Sequence, residues 1–221
     1  MYMLGCEVNK KDNHPYLTLR KILDIRNIKE RFMLEHIVVR PFCMEDCEER
    51  LELHIENRDH FQQWSPYKRS EEFFTLQGQL ENINNLIAKR SEDIRYDFAI
   101  YLNDNSSHTL IGEVQFTSVV RGPLQSCFLG YMIGKRFNGH GYMTKSLKTA
   151  LKIAFEELYF HRVTAEVNPH NIASLRVLDK VGFVREGYAR KNVKVGEEWR
   201  DHICLAMLEE DYFKLNKHED I

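Results

Sequence analysis

The chain lacks the cysteine pairs that staple a secreted domain or hold a zinc ion. Its five cysteines (Cys6, Cys43, Cys47, Cys127 and Cys204) are an odd set without a C-x-x-C pair. Cys43 and Cys47 stand four apart, but no second Cys/His pair lies nearby at zinc-ligand spacing. They read as reduced thiols that act as small hydrophobes. The ten histidines contain no H-x-x-x-H or other metal pattern, so no metal is assigned. No apolar run approaches the roughly 18 residues of a membrane span. The opening Met1-Tyr2-Met3-Leu4-Gly5 turns charged at once, without an apolar core of signal-peptide length. A reducing, cytoplasmic setting is the expectation, with no membrane partner. An excess of one charge is lacking too: 31 Lys+Arg stand against 33 Asp+Glu, a net charge of −2. That balance argues against a dedicated nucleic-acid binder. Repeats, low-complexity tracts and an interdomain linker are also absent.

What is there is globular. The 221 residues are 43% apolar and 29% charged, enough for one domain, or one domain and an appendage. A chain of this length buries about 70% of its unfolded surface and needs neither disulfide nor metal to fold. Residues 1–36 carry seven bases against five acids. Leu19, Ile22, Leu23, Ile25 and Ile28 have a loosely helical period, so residues 17–34 are consistent with a short amphipathic helix. We take 1–36 as an N-terminal extension, 37–215 as the domain and 216–221 as a polar tail.

Within the domain, residues 36–41 read as a strand ended by Pro41, and 44–57 as a helix. A loop with Phe61, Trp64 and Pro66 follows, then a second helical stretch over 70–89, capped by Ser70 with an acidic first turn. Residues 96–102, 109–119 and 127–133 read as strands separated by turns. A long helix over 142–158 places Met143, Leu147, Leu151, Ala154, Phe155 and Leu158 on one face. A strand over 161–167, a helix over 171–181 stopped by Gly182 and a last strand over 203–208 complete the pattern. The expected fold class is α/β (α+β), a single sheet flanked by helices.

The chemistry concentrates before the long helix. Residues 135–152 carry five bases and no acid. At the centre lies Arg136-Phe137-Asn138-Gly139-His140-Gly141, an R-x-x-G-x-G spacing that opens a helix directly after a strand. Glycines admit close backbone approach, and the unpaired N–H groups of a first helical turn favour phosphate. A Walker loop is excluded because His140-Gly141 follow Gly139 instead of Lys-Ser/Thr. A dinucleotide fingerprint is excluded because Thr144 stands where its third glycine belongs. On this segment alone, a phosphate-bearing cofactor and a plain strand-to-helix turn with a solvated lysine face are evenly matched.

The second element is Asn168-Pro169-His170-Asn171-Ile172-Ala173-Ser174, leading into Leu178-Asp179-Lys180-Val181-Gly182-Phe183. With the glycine loop, it resembles the GNAT superfamily of acetyl-CoA-dependent N-acetyltransferases over residues 37 to about 213. Ser118-Val119-Val120-Arg121-Gly122, Leu129-Gly130-Tyr131-Met132-Ile133-Gly134, Glu186-Gly187-Tyr188, Glu198-Trp199-Arg200-Asp201-His202 and Trp64-Ser65-Pro66 are similar to the ribosomal-protein-alanine N-acetyltransferases. The resemblance implies a mixed, mostly antiparallel twisted sheet with a V-shaped splay between two parallel strands. It also implies direct attack of an amine on the thioester of acetyl-CoA, without an acyl-enzyme. The acceptor it implies is the α-amino group of a protein, in this subfamily a ribosomal protein.

Carried onto this chain, the resemblance has Met132 and Ile133 offering backbone groups to the pantetheine and the thioester oxygen. Arg136, Phe137, Asn138, Gly139, His140, Gly141, Tyr142, Met143 and Thr144 form the pyrophosphate loop. Asn171 bonds the pantetheine arm, though its position fits a helix cap equally well. The tyrosine acid of many GNAT enzymes is replaced here by Leu178. The serine of the N-terminal acetyltransferase subgroup matches Ser174, which is the expected acid or else a first-turn polar residue. Glu166 and Glu113 are rival bases, and Val193 occupies the place where some relatives carry a further glutamate. An α-amine with a pKa near 8 needs less help than a lysine near 10.4, which leans toward α-amines. Trp64 lines the acceptor cleft or anchors a loop, and Tyr131 is core or pocket lining. A small amine acceptor (polyamine, antibiotic or amino acid) and a non-catalytic CoA-binding module stay open, as does an oligomer. The seven acids of residues 45–60, net −5, are either a docking face for a basic tail or a solvated helix face.

Overall fold

Period-two alternation in the middle of the chain builds a sheet that is covered on both faces. Along Phe98-Ala99-Ile100-Tyr101 all four side chains are buried, yet they divide between two cores. Phe98 and Ile100 join Val114, Phe116, Leu147 and Phe155 on one face. Ala99 and Tyr101 join Val38, Leu53, Ile83 and Leu110 on the other. Strands buried on both sides must be apolar throughout, which is why this stretch lacks a polar stripe.

The protein is represented by a computed structural model that describes residues 32–34, 36–104 and 107–217. Its strands are β1 (Phe32–Leu34), β2 (Ile37–Pro41), β3 (Tyr96–Asn103), β4 (His108–Val120), β5 (Ser126–Ile133), β6 (Arg162–Val167), β7 (Val184–Val195) and β8 (Glu198–Leu208). They form one eight-stranded sheet in the order β1-β2-β3-β4-β5-β6-β8-β7. Among the described residues β5 and β6 are the one parallel pair, so the sheet is mixed and mostly antiparallel, as expected. Helices α1 (Cys47–Glu56), α2 (Arg58–Gln62) and α3 (Leu76–Ser91) precede the central strands. Helix α4 (Tyr142–Lys152) runs on into a π-helical turn, Ile153–Glu157. Helices α5 (Ile172–Val181) and α6 (Glu209–Asn216) lie on either side of the β7–β8 hairpin in sequence.

The local signals explain most boundaries. Helix α5 starts where Asn171 Oδ1 accepts the Ser174 N–H at 3.1 Å and ends at Gly182, whose φ of +96° closes the last carbonyls. Helix α4 starts at Gly141 with φ +78° and no side-chain cap. Other expectations are corrected. The stretch 70–89 is two pieces, a 3-10 turn Glu71–Phe74 and α3, because Thr75 is extended and caps α3 by accepting the Gly78 N–H. Ser70 makes no side-chain cap bond. Phe61 lies in α2, not in a loop. Strand β7 and the first half of β8 carried no alternation because most of their side chains face solvent. The helix considered over 17–34 falls largely outside the described residues, and its last three residues are strand β1, paired with β2.

Candidate active site

The sheet opens at the β5–β6 junction, the one parallel pairing among the described residues. β5 and β6 pair only across Ser126–Arg162, Cys127–Val163 and Phe128–Thr164. Beyond that point β5 stays with β4 as far as Ile133, and β6 stays with β8 as far as Val167. The stretch 129–133 therefore presents gap-facing backbone groups without a strand partner. Such groups call for hydrogen bonds from another source. Met132 and Ile133 stand at this edge, and both are partly exposed.

The glycine loop lies at the end of the same strand. Lys135–Phe137 form a 3-10 turn, and Gly139 and Gly141 take φ values of +83° and +78°. A side chain at either glycine would meet nothing within 4 Å, so the open, left-handed backbone explains the glycines, not crowding. The first turn of α4 (Tyr142, Met143, Thr144) then has no side-chain cap on its N–H groups, while Met143 packs into the main core. His140 and Tyr142 stack with ring centroids 5.5 Å apart. Arg136 lies over the Phe137 ring at 4.7 Å and 3.9 Å from Glu56. Two residues outside the sequence expectations hold this loop. Buried Asn57 accepts the Lys135 N–H at 2.7 Å. His60 sits 3.3 Å from the Asn138 amide and beside the Ile133 backbone, and burial lowers its pKa. Neither carried a recognisable spacing, because both contacts span 78 residues.

Across the gap, the Tyr131 hydroxyl meets Ser174 Oγ at 2.7 Å and donates to the Ser174 carbonyl at 3.1 Å. Burial pushes the Tyr131 hydroxyl up to about 12, against the opposing effect of the Ser174 bond. The phenol therefore keeps its proton near neutrality. Asn171 stands one helical turn before Ser174 and caps α5. Leu178 is fully buried in the main core, so its side chain is not at the gap.

The two glutamates occupy different surroundings. Glu113 is 6% exposed. Arg50 Nε donates to its Oε1 at 2.8 Å, Arg50 Nη2 to its Oε2 at 3.3 Å, and His54 Nε2 lies 2.8 Å from Oε1. Burial alone would raise its pKa, but Arg50 and His54 outweigh it and hold the carboxyl well below the usual range. Its strand position pairs with Met132. Glu166 is exposed on β6, with Thr164 and Asn168 on the same face, and accepts a 2.7 Å bond from Asn192 Nδ2. Trp64 is 42% exposed, and among the described residues no side-chain bond or ring contact joins it to the other candidates. Glu49, Glu52 and Glu56 line a cleft of about 220 Å³ with His108, Thr109, Leu110 and Arg136. That puts part of the acidic row beside the glycine loop. Among the described residues no cluster of metal-ligating side chains occurs, and no helix is long and apolar enough to cross a membrane.

Residues 36–184 match the model of the acetyltransferase (GNAT) domain. The chain is 43% identical over 175 residues to a probable N-acetyltransferase, YjcK, of Bacillus subtilis, across 79% of this chain and 95% of that protein. It is 31% identical to the [ribosomal protein uS5]-alanine N-acetyltransferase of Escherichia coli, across 83% and 93%. The crystal structure of ribosomal-protein-S5-alanine acetyltransferase from Vibrio fischeri superposes with a TM-score of 0.76 at 29% identity, covering 83% of this chain and 98% of that one.

Proposed function

The chain belongs to the GNAT acetyltransferase family and is an acetyl-CoA-dependent N-acetyltransferase; from that premise we propose that it acetylates the N-terminal α-amino group of a protein in the cytoplasm, a ribosomal protein being the first candidate. The observation that carries the reading is the Tyr131–Ser174 hydroxyl pair, which bridges the open gap between β5 and α5. The names of relatives that act on ribosomal protein uS5 support the acceptor class.

In this reading the glycine loop and first turn of α4 hold the pyrophosphate through backbone N–H groups. The unpaired edge of β5 at Met132 and Ile133 bonds the pantetheine and polarises the thioester oxygen. Asn171 steadies the pantetheine arm while its side chain caps α5. The amine attacks the thioester carbon, a C–N bond forms and the C–S bond breaks. Ser174 donates to the departing sulfur and is backed by the Tyr131 phenol. The nitrogen gives up its proton toward Glu166, through water. An α-amine near pKa 8 is partly neutral already, so an exposed carboxylate of ordinary strength suffices. Glu113 is placed as a positioning residue, since Arg50 occupies both of its oxygens.

The test is thiol release from acetyl-CoA with peptides that begin Ala, Ser or Met, set beside polyamines, and mass spectrometry of the products. Acetylation at the peptide N-terminus is the expected result. Turnover of polyamines with none of peptides would sink the acceptor reading. Ser174→Ala should lower kcat by about a hundredfold, with KM for acetyl-CoA nearly unchanged.

A further inference from the structure

On the sheet face that carries Glu113, four guanidinium groups share the surroundings of two carboxylates, and one of them, Arg90, donates to the Phe42 carbonyl. Arg50 is committed to Glu113, and Arg95 to Asp97. Arg69 is left over. Its guanidinium group lies 4.4 Å from the centre of the Phe73 ring, and among the described residues it has no hydrogen bond or ion pair. Burial is the largest influence on it and lowers its pKa, while Glu113 and Asp97 act in its favour and Arg50 and Arg95 against it. Glu71, the acid nearest in sequence, is already paired with Arg58. A half-buried guanidinium without a direct carboxylate partner among the described residues keeps its donors available to an incoming anion.

Through Phe73, which also meets His54 and Arg50, Arg69 sits on the side of Glu113, the residue paired with Met132 of β5. Arg95 donates both to Asp97 and to Gln115. The Gln115 side chain lies across Gly130, so closely that a Cβ there would overlap it. On this face of β5, Phe128 is 40% exposed, Gly130 lies under the Gln115 side chain, and Met132 follows. Strand alternation puts Glu166 on that same face across the gap, because Phe128 pairs with Thr164. In the acceptor reading above, a chain that brings its amine to Met132 from the Glu113 side enters on the side that carries Arg69.

We infer that Arg69 is an anion subsite of the acceptor cleft that takes the carboxylate of an acidic side chain within the first few residues of the acceptor. The inference rests on the N-terminal acceptor reading above. A guanidinium fork matches a carboxylate with two parallel bonds, and a neutral amide or a lysine at the same place forfeits them.

The experiment uses short peptides that begin Ala, with Glu, Gln or Lys scanned through positions two to four, and thiol release as readout. At one position Glu should exceed Gln by about tenfold in kcat/KM, mostly through KM, with the gap shrinking as salt is raised. Arg69→Gln should bring that ratio close to one. No gain from Glu at any position, or the same gain in Arg69→Gln, overturns the inference while leaving the acceptor class intact. If no peptide is acetylated, the acceptor reading fails, and calorimetry decides the subsite by itself. N-acetylglutamate titrated into the CoA-loaded protein should bind wild type about tenfold more tightly than Arg69→Gln. Absence of binding to wild type, or equal binding to both, refutes the subsite.

Discussion

Replacing Arg50 by methionine separates a structural from a chemical role for Glu113. Arg50 is 2% exposed. It donates twice to Glu113 and also to Gln79 at 2.7 Å and Asn82 at 2.8 Å. Methionine keeps the apolar contact with Phe42 and Phe73 but leaves the Glu113 carboxylate buried with His54 as its remaining side-chain partner. Breaking a buried pair from one side costs about 3–5 kcal/mol. For a domain of this size that lowers Tm by roughly 6–20 °C. Adding Glu113→Gln removes the stranded charge, so the double variant should recover more than half of the loss. Thermal and urea melts at pH 7 read both numbers. A single-variant cost below about 1 kcal/mol, or a double variant no more stable than the single, refutes the buried-pair account. Turnover adds a second reading. If Glu113 only positions β4 against Met132, the double variant works in proportion to its folded fraction. If Glu113 carries the proton, the double variant stays inactive although folded.

Three further perturbations follow from the same geometry. Gly141→Asp puts a negative charge at an open left-handed position with nothing within 4 Å. CoA affinity should fall by more than tenfold while stability drops by only about 1 kcal/mol, and unchanged affinity in a titration with CoA would remove the loop from the site. Gly182→Ala forces a Cβ at φ +96° into Leu215 and should cost about 1–2 kcal/mol in a urea melt; an unchanged midpoint contradicts the cap. Burial would raise the Asp46 carboxyl, but the Arg40 bonds, one at 2.8 Å, the Cys43 N–H and the Tyr101 hydroxyl lower it on balance. A depressed folded value contributes stability above the ordinary carboxylate range and loses it as pH falls. The stability gap between wild type and Asp46→Asn should therefore be full above about pH 5 and close below about pH 4. A gap that widens on acidification would reverse the sign and refute the assignment.

The readable parts of the fold were those where one element's own spacing decides its state. Met143, Leu147 and Leu151 lie on one face of α4, and Asn171 with Gly182 brackets α5, because caps and amphipathic stripes are local physics. The β7–β8 hairpin was not readable as a whole. Its outer strand exposes Val184, Tyr188 and their polar neighbours alike, so no alternation marks it. Thr75 displaced Ser70 as a cap because the chain must turn extended there to bring Phe73 under Arg50 and His54. The glycine loop was legible as a phosphate-type turn. Its latches, Asn57 and His60, were not.

By itself the sequence determined a chain of balanced charge without disulfide or metal spacing, a mostly antiparallel sheet with helices, and the R-x-x-G-x-G loop that opens α4. The charge balance, the succession of strands and helices and the loop follow from composition, periodicity and short-range backbone chemistry, whereas the mostly antiparallel arrangement of the sheet was implied by the family resemblance. Tertiary structure alone decided which polar groups meet. It set Tyr131 against Ser174 across 43 residues, buried Glu113 under Arg50 across 63, and left Arg69 without a carboxylate partner among the described residues. Whether a charged side chain is a reactant, a strut or a vacant binding group depends on its neighbours in space, and those neighbours exist only once the sheet has closed on one side and splayed on the other.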